Sequence, residues 1–119
     1  MNLSDELQQA VAESGARLHF RFPAWLRPFV FRGITAITIG RRVYVRTADA
    51  PDGLERLLRH EIEHVRQINR IGLIRFYARY GVEYVRHRRA GMTSWDAYRA
   101  ISFEREARAA EEVQGDLDV

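Results

Sequence analysis

An α+β fold is predicted for this 119-residue chain by three observations. A Val/Ile/Thr-rich, partly alternating stretch occupies residues 17–47. Helical periods of apolar residues lie before and after it, and the two kinds of element are segregated along the chain rather than interleaved. The length suits one hydrophobic core, so a single domain spanning 1–119 is expected, with a short antiparallel or mixed sheet of about three strands.

Each element has its own warrant. Residues 1–16 hold an N-terminal helix, with Leu3, Leu7, Ala10, Val11 and Ser14 on one face, Ser4 available as N-cap and Gly15 as stop. Strands fill 17–47. In Arg17 to Pro23 the residues Leu18, Phe20 and Phe22 alternate with polar ones until the proline, and a turn over 23–28 follows. Two further strands, about 34–39 and 42–47, are joined at Gly40, because glycine supplies the positive φ of a tight hairpin. Asp49 or Asp52 is expected to cap the next helix, 52–71, whose apolar positions Leu54, Leu57, Leu58, Ile62, Val65 and Ile68 keep a helical period up to Gly72. A helix over 73–90 is expected to turn Ile74, Tyr77, Ala78, Gly81, Tyr84 and Val85 inward and its arginines outward. Ser94-Trp95-Asp96-Ala97 resembles a capped start, so 94–114 is read as helical with a break near Ser102, and 115–119 as a frayed tail.

Composition narrows the chemistry. With no cysteine, disulfides and thiolate metal sites are excluded, and any metal must be held by the four histidines or the acids. No apolar run reaches the roughly 18 residues of a membrane span and the N-terminus lacks a signal-peptide pattern, so a cytoplasmic protein with no membrane partner is expected. All 19 basic residues are arginine, but a net charge of +3 is a weak footprint for nucleic acid. Residues 55–89 hold nine Arg against four Glu, and residues 102–119 six acids against two Arg. An Arg-rich nucleic-acid-binding module therefore rests on one helical arginine surface alone, without any Gly-aromatic motif beside it.

The chemistry-bearing run is Arg59-His60-Glu61-Ile62-Glu63-His64-Val65-Arg66-Gln67. At 3.6 residues per turn His60 and His64 project from one helical face a turn apart, as two ligands of one zinc. Glu61, a third of a turn away, can reach a metal-activated water as general base. The bland alternative is a pair of surface histidines on a solvated helix. A catalytic zinc needs a third protein ligand. His87 stands among Arg86, Arg88 and Arg89 and reads as a surface residue, and His19 as a polar residue of an edge strand. The acids of Ser102-Phe103-Glu104-Arg105-Glu106-Ala107 remain, with Glu104 favoured because it shares a helical face with the small Ala107, and Glu106 as the alternative. Gln67 is either a hydrogen-bonder behind the histidines or a plain surface glutamine. Tyr98, Tyr84 and Arg99 qualify by type alone as donors to developing negative charge.

Together, Ala36 to Val45, Leu57 to Gln67 and Tyr98 to Ala107 resemble the gluzincin zinc metallopeptidases, in particular their minimal single-domain forms, over roughly residues 34–110. The resemblance implies that His60, His64 and Glu104 bind one Zn2+ and that Glu61 is general base and acid in hydrolysis of a peptide or protein substrate. It also implies an Asp four residues after the ligand glutamate that orients a zinc histidine; here that position is Arg108. The strand Val43-Tyr44-Val45 is either an edge accepting an extended peptide or a strand paired within the sheet. A latent form is the alternative functional reading, in which the acidic tail (Glu111, Glu112, Asp116, Asp118 and the terminal carboxylate) occupies the open metal position. Oligomeric state has no signature in the sequence.

Overall fold

The computed structural model describes residues 4–26, 36–46 and 53–117, with side chains as far as Glu111. Among them are five helices and a three-stranded mixed sheet, an α+β fold: α1 (Asp5–Ser14), β1 (Arg17–His19), β2 (Ala36–Ile39), β3 (Arg42–Val45), α2 (Leu54–Ile71), α3 (Leu73–Arg89), α4 (Ser94–Ala100) and α5 (Ser102–Leu117). No helix among the described residues is long and apolar enough to cross a membrane.

Helix α1 begins as its sequence requires. Ser4 accepts a hydrogen bond from Leu7 N, and Gly15, at φ 76°, closes the helix onto Val11 O. β2 and β3 form an antiparallel hairpin with Ile39 opposite Arg42, and the two-residue loop starts at Gly40, φ 64°. β1 pairs parallel to β3, Leu18 opposite Val43, which gives the order β1-β3-β2. β3 is therefore the central strand, and the reading of Val43-Tyr44-Val45 as a peptide-accepting edge is corrected: both its hydrogen-bonding sides are occupied within the sheet. β1 ends at His19, earlier than expected. Phe20 is exposed, while Phe22 is buried with Leu26 and Tyr44 on the far side of the sheet.

The main core joins Leu7 and Ala16 to Val43 and Val45 on the near side of the sheet, and to Leu58, Ile62 and Val65 of α2. A second cluster, Ile68, Phe76, Ile101 and Phe103, joins the end of α2 to α3 and α5. α2 thus runs between two cores, with its His60, His64 and Gln67 side turned towards α5. Its N-cap is Gly53, without a side-chain cap, and the expected caps Asp49 and Asp52 lie outside the described residues. Asn69 anchors the helix laterally by donating to Ser14 O (2.7 Å) and accepting from Arg41 Nε (3.0 Å).

For α3 the length is as expected, and of the residues expected to face inward only Tyr84 does so, packed against the second cluster. Phe76 is buried and Tyr80, Glu83, Tyr84 and His87 are half-buried, whereas Ile74 (84% exposed), Tyr77, Ala78, Gly81 and Val85 face outward. Gly72, at φ 92°, reverses the chain between α2 and α3 so that the aromatic side folds back and Phe76 stacks on Phe103 at 4.7 Å. α4 is capped by Thr93, whose hydroxyl accepts from Asp96 N, one residue before the expected Ser94. The chain breaks at Ile101 (φ −59°, ψ 132°), α5 starts at Ser102, and it continues helical to Leu117, through the start of the expected tail.

Candidate metal centre

The site is built across the α2–α5 contact. His60, Glu61 and His64 are all buried, and each offers a ligand atom within 4.8 Å of the others, a group that could hold a metal ion. Glu104, from the first turn of α5, is 3% exposed and bridges the two imidazoles: its Oε1 lies 3.0 Å from His60 Nε2 and its Oε2 3.1 Å from His64 Nε2. Ala107, fully buried, lets α5 approach this closely. The donor set tests well against a metal. Bonds of about 2.0–2.1 Å in a tetrahedral site place neighbouring donor atoms about 3.3 Å apart, and these oxygen–nitrogen pairs stand close to that spacing.

Gln67, fully buried, fixes the ring of His64. Its Nε2 donates to Phe103 O (3.0 Å), so its Oε1 must accept from His64 Nδ1–H (2.9 Å), which leaves the ring's Nε2 as the atom it can offer a metal. Of the two readings of Gln67, the hydrogen-bonding one holds. The ring of His60 has carboxylates at both nitrogens, Glu104 on Nε2 and Glu111 Oε2 at 2.7 Å from Nδ1.

Charge follows this geometry. Burial alone depresses the His60 imidazole, but the Glu104 hydrogen bond, the Glu61 charge and the Glu111 hydrogen bond outweigh it and raise the pKa to about 9. His64 is raised in the same way, against burial, chiefly by Glu104. Glu104 is opposed by burial yet held well below the usual carboxylate range by hydrogen bonds from His60 and His64. Glu61 is raised, because burial outweighs the neighbouring imidazoles. Its Oε1 accepts from the Thr38 hydroxyl at 2.8 Å, and its Oε2 faces His60 Nε2 at 3.8 Å.

Two tyrosines complete the Glu104 carboxylate, Tyr80 donating to Oε2 (2.6 Å) and Tyr98 to Oε1 (3.2 Å). Burial and the Glu104 charge push both phenols up, so they remain protonated donors. Of the three donors proposed by type, only Tyr98 reaches the site. The Tyr84 hydroxyl meets Ser94 at 2.9 Å, and Arg99 lies over Trp95.

The remaining candidates sit elsewhere. Glu106 is exposed, pairs with Arg70 and accepts weakly from Gln67 Nε2 at 3.4 Å, away from the histidine nitrogens. His19 is exposed on edge strand β1 and stacks on Tyr44. His87, expected at the surface, is half-buried, with Nε2 enclosed and unpartnered among the described residues, because α3 turns that side inward. Arg108 donates to Arg99 O at 2.6 Å, at the end of α4. Glu111 stands behind His60, on the Nδ1 side, and not at the open face of the ligand atoms. The side chains of Glu112, Asp116 and Asp118 lie outside the described residues.

Sequence reasoning missed Thr38 and Tyr80 and misplaced Glu111. Tyr80 follows Phe76 by four residues and Glu111 follows Glu104 by seven, so helical spacing carried both signals; Thr38 lies between Ile37 and Ile39 in β2 with nothing local to mark it. Comparison with protein-family models, with curated proteins and with solved structures finds no match.

Proposed function

We propose that this protein is a zinc-dependent peptidase of the minimal gluzincin kind, in which His60, His64 and Glu104 hold one zinc ion and Glu61 moves the proton. The observation that carries this reading is the bridging of two helix-adjacent imidazoles by a buried carboxylate from a second helix, with a further buried carboxyl beside them that bonds to neither ring. Bound zinc supplies Lewis-acid polarisation of a carbonyl and makes water a usable nucleophile at neutral pH.

The chain's own residues do the rest. Glu61 Oε2 takes the proton from the attacking water and returns it to the leaving amine; its raised carboxyl suits both halves of that task. Thr38 holds the other oxygen, which aims Oε2 towards the ligand atoms. Tyr98, already at the edge of the carboxylate cluster, is a donor for the oxyanion of the tetrahedral state. Among the described residues β2 is an edge of the sheet and lies beside Glu61, so an extended substrate backbone can add to it.

Metal analysis of the purified protein together with a peptide-library cleavage assay tests the proposal. One zinc per chain is expected, with cleavage abolished in Glu61→Ala while the zinc content stays at one. Cleavage that persists in Glu61→Ala refutes the mechanism, and a chain without zinc refutes the site.

A further inference from the structure

A histidine ligand needs its ring held and its second nitrogen occupied, since the partner of that nitrogen decides which tautomer meets the metal. For His64 the partner is the neutral amide of Gln67. For His60 the geometry is different. Residues seven apart on a helix fall on nearly the same face, about 10 Å apart along the axis, so α5 presents Glu104 and Glu111 to α2 as two carboxylates in line. The His60 ring fits between them, with Nε2 3.0 Å from Glu104 Oε1 and Nδ1 2.7 Å from Glu111 Oε2.

Glu111 is itself held in place. Arg59 donates from Nε and NH2 to its main-chain carbonyl at 3.2 and 3.0 Å, and Arg56 Nε lies 3.4 Å from its Oε1. These contacts come from the same helix as His60, so α2 holds Glu111 by its main chain and by its carboxylate beside the ring.

We propose that Glu111 is the positioning residue of His60: it keeps the proton on Nδ1, aims Nε2 at the metal position, and backs this ligand with a full negative charge where His64 has only a carboxamide. The inference rests on the reading of His60, His64 and Glu104 as metal ligands. It makes the two histidines unequal, His60 being the stronger electron donor.

The test uses the full chain and four proteins: wild type, Glu111→Gln, Glu111→Ala and Arg108→Ala, the last removing a contact of α5 with α4 without touching His60. Zinc affinity is measured by competition with a chromophoric chelator, and the visible spectrum of the cobalt-loaded proteins is recorded. Glu111→Ala is expected to weaken zinc binding by about 10–100-fold. Glu111→Gln, whose amide oxygen still accepts from Nδ1–H, loses less, and the cobalt bands shift in both. Arg108→Ala keeps wild-type affinity and spectrum. Zinc binding in Glu111→Ala equal to wild type, or an equal loss in Glu111→Ala and Arg108→Ala, overturns the proposal, the second outcome because it marks helix docking rather than ring positioning. A wild type that binds zinc while these variants fail to separate leaves the metal site standing without this residue's role. A wild type that binds none removes both.

Discussion

Glu104 is the side chain on which the site depends, since each of its oxygens meets one imidazole and one phenol. Glu106, two residues on, is turned through about 200° on the helix and reaches solvent and Arg70 instead. Glu104→Ala is therefore expected to abolish stoichiometric zinc binding and Glu106→Ala to leave it intact, as read by metal content after desalting. Proton competition belongs at this scale as well. Both nitrogens of His60 face carboxylates, and its pKa near 9 means that the metal-free ring carries two protons at neutral pH. Zinc must displace the one on Nε2, so affinity is expected to rise steadily from pH 6 to pH 9 in a chelator competition. A flat profile rules out displacement of a proton. His60, Glu61 and His64 were legible in sequence because their relation is local, set by one helix's pitch. Glu104 was legible as a choice between two acids, tipped by its neighbour Ala107 because close helix approach demands a small residue, and of the two it is Glu104 that meets both imidazoles.

Among the elements, α3 shows where periodicity misleads. The helix carries two plausible faces, an aliphatic one through Ile74, Ala78 and Val85 and an aromatic one through Phe76, Tyr80 and Tyr84. Hydrophobicity alone selects the first, and packing selects the second, because Phe76 and Tyr80 fill the space beside Phe103 and Glu104. α3 also supplies the start of α5: Glu83 accepts from Ser102 N at 2.8 Å and from its hydroxyl at 2.7 Å, a cap donated from another helix. Partial burial pushes Glu83 up, but these two hydrogen bonds outweigh it and lower its pKa. The depressed value fixes the sign: the stabilisation is present above the ordinary carboxylate range and is lost as pH falls through the lowered pKa. Glu83→Ala is expected to cost about 1 kcal/mol at pH 7, the usual worth of a side-chain cap, with a smaller difference from wild type at pH 3, both read from urea midpoints. An equal loss at both pH values shows that the charge of Glu83 is not what caps α5.

For the whole molecule, the candidate metal centre lies between two apolar clusters, one under the sheet and one under α3, and α2 belongs to both. Neither cluster contains His60, His64 or Glu104, so a zinc-loaded chain is expected to keep its helical circular dichroism at 25 °C when the zinc is removed by a chelator. What it loses is the clamp between α2 and α5. At free zinc about a hundredfold above the dissociation constant the clamp contributes about 2.7 kcal/mol, which in a domain of this size corresponds to a melting temperature lower by roughly 10 °C. Unfolding on chelation at 25 °C contradicts this separation of cores from clamp.

The sequence by itself determined whatever depends on neighbours along the chain. Helix and strand periods, the Ser4 and Gly15 caps, the Gly40 hairpin and the His60–Glu61–His64 spacing are each set by a few residues and the geometry of one element. Only the tertiary structure decided that β3 is central, that α3 buries its aromatic face, that Thr38 and Tyr80 reach the site, and that Glu111 stands behind His60 rather than over the open ligand face. These are relations between elements. They follow from how helices and strands close-pack around shared side chains, where the best-filled arrangement prevails over the most hydrophobic stripe.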